Sequence, residues 1–134
     1  MHQNSKDEID YILKNYKTIA VVGLSKNVYR PSHDIAQYLL RNNYKVIPVN
    51  PGYSEVLGLK CYKSLLDIPE EVEVVNIFRR SDQVVPIVEQ AVAVGAKAVW
   101  MQLGVYNEQA ATIARNAGLM VIMDSCIKIE HAIL

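Results

Sequence analysis

The feature that most constrains this chain is a set of short apolar runs in which polar residues do not alternate. Thr18-Ile19-Ala20-Val21-Val22 is the clearest of them. A strand wetted on one face alternates apolar and polar side chains, so a run that is apolar at both parities predicts a strand covered on both faces, as in a parallel sheet. Lys45–Val49, Glu73–Phe78, Ala98–Leu103 and Leu119–Met123 have the same character. The segments between them carry the period of an α-helix. Ser5 and Glu8 form a capping-box pair ahead of Ile9, Ile12, Leu13 and Tyr16. Ser32 is expected to cap a helix that buries Ile35, Ala36, Leu39 and Leu40 and ends at Asn42-Asn43. A further helix is expected from about Asp82 to Val94, with Pro86 near its first turn, and Asn107 is placed to cap one that stops at Gly118. The tail, Lys128–Leu134, predicts one more helical turn.

Strand and helix alternate throughout, which predicts a doubly wound α/β fold: a mainly parallel sheet with helices on both faces, formed as a single domain over residues 1–134. Three segments fit less simply. Pro48 lacks an N–H and suits an edge or irregular position, Asn50–Glu55 reads as a loop before a weaker strand near Leu59–Tyr62, and Ser64–Asp67 suggests a short helix that stops before Pro69. Fourteen basic residues offset fourteen acidic ones, so no bulk field draws the chain to nucleic acid or to an anionic membrane, and any anion must be held by a local arrangement. Cys61 and Cys126 are far apart and form no CxxC, as expected of reduced thiols in the cytoplasm. The polar start lacks the apolar core of a signal peptide, and no run is long enough to span a bilayer. A cytoplasmic protein is expected, and a protein partner or a weak homodimer stays open.

Ligands on doubly wound sheets bind outside the carboxyl ends of the strands, where strand order reverses. The candidate loops are therefore Gly23–Ser32, Asn50–Ser54, Phe78–Ser81, Gln102–Tyr106 and Asp124–Cys126. The first holds most of the chemistry. A helix begins at its far end and presents unpaired amide donors with a partial positive charge. Ser25, Lys26, Asn27, Arg30 and Ser32 add hydroxyl, amide and cationic donors. The loop reads either as a receiver for the phosphate of a small nucleotide ligand or as an ordinary connection with solvated charges. The dinucleotide fingerprint GxGxxG is absent, since only Gly23 is present. Asn50-Pro51-Gly52-Tyr53 stands where an acid for a ribose diol is expected, and no GxxxxGK[ST] occurs. These absences weigh against NAD and against ATP hydrolysis.

Taken in order, Val21-Val22-Gly23-Leu24-Ser25, Arg30-Pro31-Ser32, Pro48-Val49-Asn50-Pro51, Phe78-Arg79, Gly95-Ala96-Lys97, Trp100 to Gly104, and Met123-Asp124 to Glu130-His131 resemble one family. It is the stand-alone CoA-binding domain family, similar to the N-terminal domain of the succinyl-CoA synthetase alpha subunit. The resemblance implies a Rossmann-like, three-layer α/β/α fold that holds coenzyme A or an acyl-CoA across the carboxyl edge of the sheet. It places Gly23, Ser25, Lys26 and Asn27 around the pyrophosphate and phosphorylated ribose, and Asn50, Pro51 and Tyr53 beside the adenosine. It also sets Phe78 and Arg79 along the pantetheine arm, with Gln102 after the next strand. Arg30 and Ser32 fit the family's Arg-Pro-Ser pattern, in which Arg30 either pairs with a phosphate or fixes the loop. The chain departs from the pattern where Lys26 and Asn27 replace a glycine-richer turn, and where Ser125 and Ile127 stand in place of a basic residue and a proline.

No catalytic residue and no metal ligand is expected. The synthetase works through a phosphorylated histidine in a further domain, and His2, His33 and His131 match no catalytic motif. His33 reads as a surface residue at a helix start, Asp124 as structural, and Trp100 as core. Cys126 follows the last strand, where nucleophiles often sit, but no histidine and acid stand at a recognisable spacing from it. The expectation is a small non-catalytic CoA-binding protein, a sensor or carrier. A transferase or hydrolase of CoA thioesters using Cys126 or His33, and an NAD(P)-binding regulatory module, remain as alternatives.

Overall fold

The computed structural model describes residues 4–134, so His2 lies outside the described residues. Along the chain the elements are α1 (Lys6–Asn15), β1 (Thr18–Val22), α2 (Pro31–Arg41), β2 (Lys45–Val49), β3 (Glu55–Val56), β4 (Leu59–Lys60), β5 (Val74–Ile77), α3 (Val84–Ala93), β6 (Ala98–Met101), α4 (Glu108–Asn116), β7 (Met120–Ile122) and α5 (Ile127–Ala132). The main sheet has the order β2-β1-β5-β6-β7 and every pairing in it is parallel. Successive side chains of β1 explain the lack of alternation. Ile19 and Val21 pack against the apolar faces of α1, α2 and α5, while Ala20 and Val22 pack against α3 and α4. Both faces are covered, as the resemblance to a Rossmann-like α/β/α fold implied. Among the described residues no helix is long and apolar enough to cross a membrane.

Several local expectations hold. Ser5 accepts the Glu8 amide, Ser64 accepts the Leu66 amide and Asn107 accepts the Ala110 amide. β2 is an edge strand, so the missing donor of Pro48 costs little there. Trp100 is fully buried, and its Nε1 donates to the Ser125 carbonyl at 2.9 Å.

Three segments differ from expectation. α2 starts at Pro31, with Arg30 as a cap residue that makes no side-chain capping bond. Proline is preorganised for the first helical position, and that preference outweighs the serine signal. Ser32 therefore turns inward, where its Oγ accepts the Ser25 amide at 3.0 Å. The loop expected over Asn50–Glu55 is cut short, because Glu55 opens a two-stranded antiparallel hairpin with β4. Leu57 (φ 55°) and Gly58 (φ 74°) close it, the two positive angles a type I′ turn requires. The weaker strand near Leu59–Tyr62 accordingly leaves the main sheet, and among the described residues it pairs with that sheet only where Tyr62 bridges Val49.

Asn76 sits in the central strand between Val21 and Trp100, fully buried, and among the described residues neither polar atom of its side chain has a partner. A buried, unsatisfied amide costs about 1–3 kcal/mol. Asn76→Val removes that penalty and suits a central strand. It is expected to raise unfolding stability by about 1 kcal/mol or more, measured by denaturant titration.

Candidate functional site

Strand order reverses between β1 and β5, because the chain leaves β1 toward β2 on one side and returns to β5 on the other. The loops leaving their carboxyl ends flank the crevice where doubly wound sheets bind ligands. Gly23 opens the first loop at φ +89°, and a Cβ placed on it would lie 2.2 Å from the Phe78 carbonyl oxygen. Backbone angle and contact both demand glycine here. Its amide also donates to the Val49 carbonyl at 2.9 Å, drawing the ends of three strands together.

Above this junction lies a cavity of about 460 Å³, within the range of small-ligand sites. Arg30, Pro31, Ser32 and Ile35 form its α2 wall, Asn50 and Tyr53 its β2 wall, and Gly23, Ser25 and Phe78 its floor. Gln102, Leu103 and Cys126 complete the lining. The cavity thus gathers eight of the twelve residues singled out from the sequence: Gly23, Ser25, Arg30, Ser32, Asn50, Tyr53, Phe78 and Gln102. Lys26, Asn27, Pro51 and Arg79 do not line it. Lys26 stays close, with Nζ 5.2 Å from the centroid of the Tyr53 ring, a cation–π contact along the β2 wall. Pro31, Ile35, Leu103 and Cys126 also line the cavity and are not singled out as binding residues in the sequence, although Asp124–Cys126 is among the candidate loops. Ile35 could have been found from its place on the buried face of α2, one turn from the loop.

The loop is held by its own polar atoms. The Asn27 amide donates to Ser25 Oγ, and the Tyr29 amide to Asn27 Oδ1, each at 3.0 Å. The Arg30 amide donates to the Asn27 carbonyl at 3.0 Å. Such side-chain-to-backbone turns shape a loop that lacks glycines. They answer how the loop turns with Lys26 and Asn27 in place of glycine. His33, expected at the surface, is buried at 6% exposure. Its Nδ1 lies 2.9 Å from the Ser25 carbonyl and donates to it, which locks the loop onto α2. Asn50 donates from Nδ2 to the Leu24 carbonyl and accepts the Gly52 amide, so it joins two loops.

Two groups remain directed at the cavity. Among the described residues the Arg30 guanidinium has no ion-pair or hydrogen-bond partner, and it stands at the N-terminus of α2. Gln102 is 4% exposed, and its Oε1 accepts the Ile127 amide at 3.3 Å. Its Nε2 has no acceptor among the described residues. Among the described residues no carboxylate lines the cavity, so the Arg30 guanidinium is its one charged group. Asp124 stands outside the cavity, where its Oδ1 accepts the Gly104 amide at 2.7 Å, the structural role expected of it. The two thiols differ. Cys61 is buried and donates to the Asn50 carbonyl, and burial pushes its thiol above the ordinary 9.0, against the smaller opposing effects of that bond and of Lys26. Cys126 is half-buried and faces the cavity. Among the described residues no group of His, Cys, Asp and Glu side chains could hold a metal ion.

Comparison with known proteins places this geometry. A family model described as a CoA binding domain matches residues 17–132. YneT of Bacillus subtilis is 42% identical over 133 residues, which covers 99% of this chain and 98% of the relative. A solved structure of a Pyrococcus horikoshii protein is 42% identical and superposes with a TM-score of 0.94, covering 100% of this chain and 99% of that one. An ADP-forming acetate–CoA ligase of Methanocaldococcus jannaschii is 30% identical over 91% of this chain, and the chain spans only 19% of that enzyme.

Proposed function

The chain belongs to the CoA-binding domain family, and from that premise we propose that it binds coenzyme A, or an acyl-CoA, in the cavity beside Gly23 and Phe78 without itself transferring the acyl group. The observation that carries this reading is the cavity's mixed lining. Arg30 stands in it at the N-terminus of α2, a cation suited to phosphates. Phe78, Leu103 and the Gln102 amide, uncharged and partly apolar, suit the pantetheine arm with its two amides. CoA joins the same two chemistries: a polyanionic nucleotide and a neutral chain. Asn50 in place of an acid, with Lys26 beside Tyr53, favours a phosphorylated ribose over the diol of NAD.

What surrounds Cys126 and His33 favours binding without chemistry. An activated cysteine needs a base within hydrogen-bond reach. Among the described residues no histidine or carboxylate bonds the Cys126 thiol, and His33 is bound to the Ser25 carbonyl. The ligase relative matches this chain over a minor part of its length, which is consistent with a shared CoA-holding part whose chemistry lies in other segments of that enzyme. A cytoplasmic sensor or carrier of CoA is the role that fits.

A thermal-shift panel tests the proposal. CoA at about 100 times its Kd adds about 2.7 kcal/mol, a rise of roughly 5–10 °C in melting temperature. Acetyl-CoA is expected to do the same, NAD and NADP to leave the transition where it is, and acetyl-CoA to release no free thiol on incubation. A shift with NAD and none with CoA would replace this reading with the dinucleotide one. Thiol release that disappears in Cys126→Ala would make the chain an enzyme.

A further inference from the structure

We propose that the cavity captures CoA covalently when CoA is oxidised, through thiol–disulfide exchange between Cys126 and a CoA disulfide. This rests on the binding reading above and adds a chemical step to it. Two independent observations carry it. The first is that the two cysteines are sorted: Cys61 is 5% exposed with its thiol bonded to the Asn50 carbonyl, whereas Cys126 is half-buried on the cavity wall. The second is Gln102. It is more than nine-tenths buried and lines the same wall, and its Nε2 donor lacks an acceptor among the described residues.

Gln102 Oε1 is fixed by the amide of Ile127, the residue that follows Cys126. That bond holds the carboxamide beside the cysteine and leaves Nε2 to receive a carbonyl. A carboxamide donor open to the cavity and bonded to no described residue is available to a ligand carbonyl. Where CoA occupies the cavity, an amide carbonyl of its pantetheine arm can meet Nε2, and the sulfur at the end of the arm can reach the Cys126 thiol on the same lining. A cavity that places a sulfur of the ligand near a protein thiol raises their effective concentration.

The exchange balances without a further oxidant. The Cys126 thiolate attacks the sulfur of the bound half of the CoA disulfide, the S–S bond of that disulfide breaks, and the second CoA leaves as its thiolate and takes up a proton. One disulfide is consumed and one is formed. The product is a mixed disulfide of Cys126 with CoA, reversed by any small thiol in excess.

Intact-mass spectrometry after incubation with CoA disulfide at about pH 8, where thiols are partly ionised, reads the product directly. The expected result is a single adduct of one CoA less two hydrogens, mapped by peptide analysis to Cys126, retained in Cys61→Ser and lost in both Cys126→Ser and Cys126→Ala. It should form at least about tenfold faster than the adduct with glutathione disulfide, and desulfo-CoA should slow it, since the cavity directs the exchange. Addition of excess reductant should remove it. Equal rates with glutathione disulfide, indifference to desulfo-CoA, or modification at Cys61 would overturn the proposal. Calorimetry with CoA under reducing conditions separates the two readings. Heat of binding without an adduct overturns the covalent step alone, and neither heat nor adduct removes both.

Discussion

Gly23→Ala is expected to lower the melting temperature by roughly 10 °C and to abolish measurable CoA binding. Two costs add at this position. A non-glycine residue at φ +89° carries about 1–3 kcal/mol of backbone strain. A methyl group 2.2 Å from the Phe78 carbonyl oxygen cannot be accommodated by a side-chain rotation, because its neighbour is backbone, and overpacking of this kind costs about 1–3 kcal/mol more. For a domain of this size each kcal/mol corresponds to several degrees. Relief requires the loops after β1 and β5 to separate, and those loops are the floor of the cavity, so affinity falls with stability. Differential scanning calorimetry and a CoA titration on the variant check both halves. A variant with unchanged melting temperature would show that the two loops are not in contact. Gly104→Ala, with positive φ but no atom within 4 Å of the added methyl, is the control and should lose only the strain.

Arg30→Ala is expected to weaken CoA binding about 10- to 100-fold while changing stability by less than about 0.5 kcal/mol. A charge-assisted bond to phosphate is worth about 1.5–3 kcal/mol, and each 1.4 kcal/mol is tenfold in Kd. The guanidinium has no partner among the described residues and lies exposed at a helix start, so its removal breaks nothing in the fold. That outcome would make Arg30 a phosphate ligand and not a brace for the loop. Arg30→Lys should recover part of the loss, since it restores charge without the two-pronged geometry. The wild-type affinity should also fall as salt rises, and less steeply in Arg30→Ala. A variant that unfolds more easily but binds normally when folded would return Arg30 to the bracing role.

The parts of this molecule that follow local rules are written plainly in its sequence. Five non-alternating runs became five parallel strands because each is covered on both faces. Ser5 and Asn107 cap helices as the local rule expects, and Asn107 does so with Oδ1 while its Nδ2 donates to the Ser81 carbonyl. The misreadings occur where a local signal met a second constraint. Ser32 fits the cap rule, yet Pro31 starts the helix earlier and frees the hydroxyl for the Ser25 amide. His33 looks like a solvent-facing polar residue in the first turn of α2, but the loop folds back and supplies its partner. The β3–β4 hairpin was hidden because Leu57 is an unusual residue for a left-handed turn position.

The site was legible to the extent that it follows from strand ends. The loops after β1, β2, β5 and β6 all reach the cavity, and Gly23, Arg30, Asn50, Phe78 and Gln102 stand where strand order places them. What each polar group does there was not legible. Ser25, Asn27 and Asn50, singled out in sequence as ligand donors, also shape and join loops in the fold. The near contact of Gly23 with Phe78 and the joining of Gln102 to Ile127 each span distant parts of the chain, so no local pattern marks them.

The central claim is that this one cavity holds CoA by its phosphates and its pantetheine arm together. Isothermal titration of the reduced protein with CoA, repeated with NAD and with a CoA fragment lacking the pantetheine arm, addresses it most directly. The expected result is one CoA per chain with a Kd in the micromolar range or tighter, clearly weaker binding of the fragment, and no heat from NAD. No heat from CoA at concentrations well above micromolar, or equal affinity for CoA and NAD, would contradict it.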